Sequence, residues 1–257
     1  MQDQPVALVT GANQGIGLQI AKDLVAHGFT VLVGSRDFER GEAAAKEVGP
    51  GARALQLDVA NRASITAAAE RVRKEFGRLD LLVQNAAISN TRKLPGQSIE
   101  EYAKTTRPSN VSLDEMRAVW DTNVFGVLAV YQAMLPLLRE TPGARIVNVS
   151  SGVGSLTTNS DPAFPYRAIF GPVYPASKTA LNALTLAMAL ELDPEGIKVS
   201  MRSLQASRRR ISTDMQARKR LRRAPARRCA WRCSAGTGQP GGSPVGKTKT
   251  SHGNREI

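Results

Sequence analysis

Short apolar runs and longer helical periodicities alternate along this chain as far as Val199. Val6-Ala7-Leu8-Val9 is apolar without interruption, which predicts a strand buried on both faces. An amphipathic helix follows from Leu18 to His27, then a second strand over Phe29–Val33. Arg40–Val48 reads as a helix stopped by Gly49-Pro50-Gly51. Ala54–Leu57 is a third strand, residues 62–76 a helix, and Leu79–Val83 a fourth strand. Residues 88–112 are polar and carry Pro95 and Pro108. That is long for a strand–helix connection, and it predicts a surface excursion beside a site mouth. Leu113–Arg139 is a long helix and Ala144–Val149 a fifth strand. A stretch rich in Gly, Pro and Phe, 152–173, leads to an apolar helical run over Thr179–Leu192. Gly196-Ile197-Lys198-Val199 then opens a sixth strand. Strands separated by helices predict an α/β fold with a doubly wound parallel sheet, Rossmann-like, holding strands one to five and the start of six.

Charge changes that picture at one place. The chain of 257 residues carries 35 Lys and Arg against 22 Asp and Glu, a net +13. Positions 200–257 hold 15 of those basic residues and only two acids, Asp214 and Glu256. The excess therefore lies wholly in that stretch, and residues 1–199 are balanced. The division is a catalytic and nucleotide-binding domain over 1–199 and a basic tail over 200–257. Arginine runs and a Gly/Pro/Thr/Lys stretch leave the tail without apolar periodicity, so it is expected not to order itself. A basic tail raises nucleic acid or acidic lipid as a partner. It offers one Trp and no Tyr or Phe for stacking, and no recognised nucleic-acid module. Cys229 and Cys233 lie in the tail with His252, a spacing that makes no metal site. No uninterrupted apolar run approaches the roughly 20 residues of a membrane span. The chain reaches its first strand almost at once, which predicts a cytoplasmic protein without a signal peptide.

Candidate chemistry gathers at the carboxyl ends of the predicted strands. Thr10-Gly11-Ala12-Asn13-Gln14-Gly15-Ile16-Gly17 joins the first strand to the first helix. Glycines there allow a tight turn, backbone approach to a pyrophosphate, and close helix packing, while the helix N-terminus offers free N–H groups. Ser35 and Arg36 end the second strand, where a cation pairs with the 2′-phosphate of NADP(H). Asp37 is the competitor, able to take the ribose of NAD(H) instead. Asp58, followed by Val59, reads either as an adenine contact or as an N-cap of the next helix. Asn85-Ala86-Ala87 leaves room for a nicotinamide ribose to cross the sheet. Asn123 is a poor mid-helix residue, read either as an exposed amide or as a helix break that holds a relay water. Ser151 falls just past the fifth strand. Tyr174 and Lys178 stand four apart on one helix face. An ammonium beside a phenol favours the phenolate and brings it toward acid–base work.

Taken in order, the Thr10–Gly17 loop, Asp58, Asn85-Ala86-Ala87, Asn123, Ser151 and the Tyr174/Lys178 pair resemble the short-chain dehydrogenase/reductase family over residues 5–199. Asn13, the Ser35-Arg36 strand end and the loop before Tyr174 look like bacterial relatives of carbonyl reductases. The resemblance implies an NADP(H)-dependent oxidoreductase acting on a carbonyl or alcohol. Tyr174 would be the general acid/base, Lys178 its partner and the anchor of the nicotinamide ribose, Ser151 the carbonyl-orienting hydroxyl, and Asn123 the holder of a relay water. The family pairs through the helices carrying Asn123 and Tyr174, and the altered tail works against such pairing here. The alternative is a catalytically impaired nucleotide-binding protein with a tail for acidic surfaces.

The family continues past residue 199 with a sixth strand, a Pro-Gly, a covering helix and a seventh strand, and here that pattern stops. Met201-Arg202-Ser203-Leu204-Gln205-Ala206-Ser207 is compatible with a shifted reading frame. Back-translated as ATG CGG TCT CTC CAG GCT TCA after an adenine, its neighbouring frame reads Asn-Ala-Val-Ser-Pro-Gly-Phe. Without strands six and seven, strand five is expected to be left as an open edge.

Overall fold

Val6–Thr10 forms β1, and all five of its residues are buried. A strand apolar on every position has no face to give to water, so it belongs in the middle of a sheet covered on both sides. The computed structural model places it there and describes residues 4–203. These lie in the first of two units into which the chain divides, Met1–Thr213; the second, Asp214–Ile257, lies outside the described residues.

β1 is joined by β2 (Thr30–Ser35), β3 (Ala52–Gln56), β4 (Leu81–Gln84), β5 (Arg145–Ser150) and β6 (Lys198–Ser203). All pairings are parallel, in the order β3-β2-β1-β4-β5-β6. The order reverses between β1 and β4, and that switch opens a crevice at the carboxyl ends of the strands. The connecting helices are α1 (Gly15–Ala26), α2 (Phe38–Val48), α3 (Arg62–Phe76), α4 (Ile99–Thr105), α5 (Leu113–Trp120), α6 (Gly126–Glu140), α7 (Leu156–Ser160) and α8 (Tyr174–Leu192).

The core lies between the sheet and its helices. Leu8, Leu32, Leu82 and Ile146 from the strands meet Val130 and Met134 of α6 and Leu181, Met188 and Leu192 of α8. Burial of Leu181, Thr185, Met188 and Leu192 steps along α8 by four, three and four residues, one continuous helical face. Asn148 crosses this layer: its Oδ1 accepts from Gln84 Nε2 at 3.1 Å and its Nδ2 donates to Thr185 Oγ1 at 2.9 Å. That polar tie fixes α8 against β4 and β5, because buried amides without partners are costly. The segment Leu113–Glu140 is long and apolar enough to cross a bilayer by length and composition. Its apolar face is instead turned into the core at Val127, Val130, Met134, Leu137 and Leu138.

Several boundaries differ from the sequence expectation. α1 begins at Gly15 rather than Leu18. Glycine is a weak helix former, so the pattern hides a first turn whose role is to stay bare. The excursion at 88–112 contains α4, started by a capping box in which Ser98 and Glu101 serve each other's backbone N–H. It buries no residue, hence the missing periodicity. The long helix is interrupted by a π-helical turn, Asp121–Phe125, centred on Asn123. The expectation that β5 would be an open edge is overturned. β6 pairs with it from Arg145↔Lys198 to Ser150↔Ser203. A ladder is made of backbone groups and forms whatever the side chains are. The rest of the basic tail, from 204, and the place of a seventh strand fall outside the described residues.

Candidate active site

A cleft of about 450 Å³ runs along the carboxyl ends of the strands, from Arg36 and Arg40 past Gly15 to Tyr174 and Lys178. Of the residues expected to bind a dinucleotide, Gly11, Asn13, Gln14, Gly15, Ile16, Gly17, Ser35, Arg36, Asp58, Val59, Asn85, Ala86 and Ala87 all line it.

The α1 end fits a pyrophosphate. Gly15 has φ +59°, and a Cβ there would meet nothing within 4 Å, so the bare backbone faces open space. Gln14 precedes the helix without a side-chain cap, leaving the first-turn N–H groups to a ligand. Gly17 is bare for a different reason: a Cβ would lie 2.5 Å from both Asn85 Nδ2 and Gly11 O. Thr10 does not line the cleft. It is buried, and its Oγ1 accepts from the N–H groups of Asn85 and Ala86, each at 3.0 Å. Asn85 Nδ2 returns bonds to the carbonyls of Thr10 and Gly11. Thr10 thus clamps the β1 turn to the β4 turn.

At the β2 end, Asp37 is the N-cap of α2, its Oδ1 accepting from Arg40 N–H at 3.1 Å. The Ser35 hydroxyl is spent inside the turn on Asp37 O at 2.7 Å. Arg36 and Arg40 are the cations of the lining there. Arg40 was not foreseen, because a lysine or arginine in a helix's first turn reads as a solvated side chain. Asp58 lines the cleft while its Oδ1 accepts from Ala60 N–H. The cap of α3 is Asn61, not Asp58.

At the other end, Tyr174 opens α8 with Pro175 at the first turn, a position that needs no proline N–H. Lys178 is buried, donates to Val149 O at 3.0 Å, and holds its Nζ 5.7 Å from the centre of the Tyr174 ring. Burial pushes its pKa down to about 8. Burial also pushes the Tyr174 phenol above its ordinary value, and the Ser151 hydroxyl bonded to it pulls the other way. In the protein alone the net shift of this phenol is upward, whatever the ammonium contributes. Loss of hydration dominates, and the ammonium is turned toward the Val149 carbonyl.

Neither Ser151 nor Asn123 is among the lining residues; Ser151 is partly exposed and bonded to Tyr174. Asn123 is fully buried; its Oδ1 accepts from Ile88 N–H, and its Nδ2 donates to Ile88 O and Ser177 Oγ, at 2.9 to 3.0 Å. Both donor sites of its side-chain amide, and one acceptor site, are taken by protein groups. Ile88, Ser89, Thr122 and Ser150 also line the cleft, and no motif singled them out.

Residues 5–223 match the family described as "short chain dehydrogenase". The chain belongs to the short-chain dehydrogenase family. This is an oxidoreductase family. A short-chain dehydrogenase of Penicillium roqueforti (strain FM164), anuI, is 35% identical over 205 residues, covering 76% of each chain. Two solved structures share the fold. A 3-ketoacyl-(acyl-carrier-protein) reductase of Brucella melitensis, complexed with NADH, has 28% identity and TM-score 0.62, covering 77% of this chain and 74% of its own. A metagenomic short-chain oxidoreductase, complexed with NADP, has 28% identity and TM-score 0.64, covering 79% and 83%. Dinucleotides of both kinds thus occupy structural neighbours of this family member.

Proposed function

We propose that this short-chain dehydrogenase is an NADP(H)-dependent, carbonyl-reductase-like oxidoreductase that interconverts a carbonyl compound and its alcohol. One observation carries the reading: Arg36, the open backbone of Gly15, and the Tyr174/Lys178 pair all face a single continuous cleft. A bound nicotinamide dinucleotide supplies or accepts the hydride at the carbonyl carbon. Tyr174 donates its phenol proton to the oxygen that becomes the alcohol. Its raised pKa keeps it protonated and competent as the acid through neutral pH. Lys178 stabilises the tyrosinate left behind and holds the nicotinamide ribose. Ser151, in contact with Tyr174, binds and orients the carbonyl oxygen. Asn123 serves proton relay by holding the π-helical turn against Ile88 and Ser177.

The preference for NADP(H) rests on Arg36 and Arg40 at the ribose end, where Asp37 also lines the cleft with one carboxylate oxygen capping α2. The test is oxidation of NADPH by the purified chain with a panel of aldehydes and ketones. Tyr174→Phe is expected to slow turnover by about 10²- to 10⁴-fold, the range of a lost general acid, while NADPH still binds. Arg36→Ala is expected to narrow the preference for NADPH over NADH. Undiminished turnover by Tyr174→Phe would overturn the assignment.

A further inference from the structure

The helix α5 carries a buried carboxylate that the proposed chemistry does not use. Glu115 is 2% exposed. It accepts from Thr91 N–H at 2.8 Å, from Arg92 N–H at 3.3 Å, and from the hydroxyls of Thr91 and Tyr102. All four donors are neutral. Three belong to residues 91–92 and one to α4, so a single carboxylate gathers both parts of the excursion at 88–112. Burial pushes the Glu115 carboxyl up, but these bonds outweigh it and hold it below the ordinary carboxylate value.

The same segment is held at its other end by Asn123, through both backbone groups of Ile88. Glu115 and Asn123 lie on one nearly continuous helical rod, α5 and the π-helical turn. Between them, Trp120 Nε1 donates to Pro172 O at 3.0 Å, two residues before Tyr174. Asn123 reaches Ser177, whose hydroxyl donates to Tyr174 O at 2.7 Å. The rod thus spaces the segment Ile88–Arg92 from the catalytic turn of α8. Ile88 and Ser89, inside that segment, line the cleft that Tyr174 lines.

We propose that Glu115 is a positioning residue. By pinning Thr91 and Arg92 it sets the wall at Ile88 and Ser89, and so fixes how the carbonyl substrate, not the dinucleotide, is held. This rests on the function proposed above for the cleft.

The experiment uses Glu115→Gln and Tyr102→Phe in the full chain. Glutamine keeps the size but turns an N–H₂ group toward donors. Phenylalanine removes one donor and keeps the ring, so it spares the buried carboxylate if the first variant fails to fold. Two readouts are taken: hydrogen exchange of backbone amides without substrate, and KM for the carbonyl beside Kd for NADPH. Faster exchange is expected at Thr91, Arg92 and Ile88, with β1 unchanged. KM is expected to rise about tenfold in Glu115→Gln, the scale of a small misplacement in a site, with Kd unaltered. An unchanged KM in an active enzyme overturns the inference, as does a joint rise of KM and Kd. Should the wild type reduce no carbonyl, the functional reading fails by itself. Exchange then decides: spread to Ile88 supports the positioning role, and confinement to Thr91 and Arg92 overturns it.

Discussion

Lys178 spends its charge in a buried place, and this makes its proton the one that titrates. Its pKa is lowered to about 8 by burial, against an ordinary 10.5. Tyr174 moves the other way, upward, because burial disfavours the phenolate. The alkaline limb of kcat/KM for carbonyl reduction is therefore expected near pH 8, set by the lysine. Lys178→Arg keeps the charge and should move that limb upward; a limb that stays in place would show that another group titrates. The sign for stability follows from the same shift. The unfolded chain holds this proton more tightly than the folded one, so folding gains stability as pH rises from about 8 toward 10.5. Tyr174 and Lys178 were legible because their spacing of four is a surface property of any helix. Glu115 was not, because an acidic residue in a helix's first turn ordinarily does nothing but face the dipole.

The element that fixes the catalytic turn is α8, and it is clamped at a glycine. Gly154 O accepts from Thr179 Oγ1 at 2.9 Å and from Asn182 Nδ2 at 3.1 Å. Asn182 Oδ1 in turn accepts from Ser150 Oγ. A Cβ on Gly154 would lie 2.8 Å from Lys178 C and 2.9 Å from Lys178 Cβ. Gly154→Ala is expected to cost about 1–3 kcal/mol, as overpacking does, and to lower kcat more than it changes Kd for NADPH. Thermal unfolding and steady-state kinetics measure the two effects; an alanine variant of wild-type stability and kcat would sink the claim. The helix itself was readable from its apolar run. The loop that grips it was not, because contact between residues 154 and 178 leaves no periodic trace.

In the whole molecule, the sheet ends at β6 among the described residues, and five of its six residues have no buried apolar role: only Val199 packs against the core. Met201 is 43% exposed. We expect the gene, read in the neighbouring frame after Ser200, to encode the Asn-Ala-Val-Ser-Pro-Gly-Phe continuation, and a chain built with it to unfold at higher temperature and turn over faster. Nucleotide sequencing across that codon is the direct measurement. A neighbouring frame without any family-like continuation would end the idea.

The sequence by itself determined the alternation of strands and helices, the bare glycine turn and the spacing of Tyr174 from Lys178, because each is written in local periodicity or in residues with special backbone freedom. Tertiary structure alone decided that Thr10 clamps the β1 turn to the β4 turn, that Asp37 caps α2 while lining the cleft beside Arg36 and Arg40, and that Glu115 grips Thr91 and Tyr102. Those outcomes depend on which side chains meet across the fold, and a hydrogen-bonding group is spent or available only once its neighbours are known.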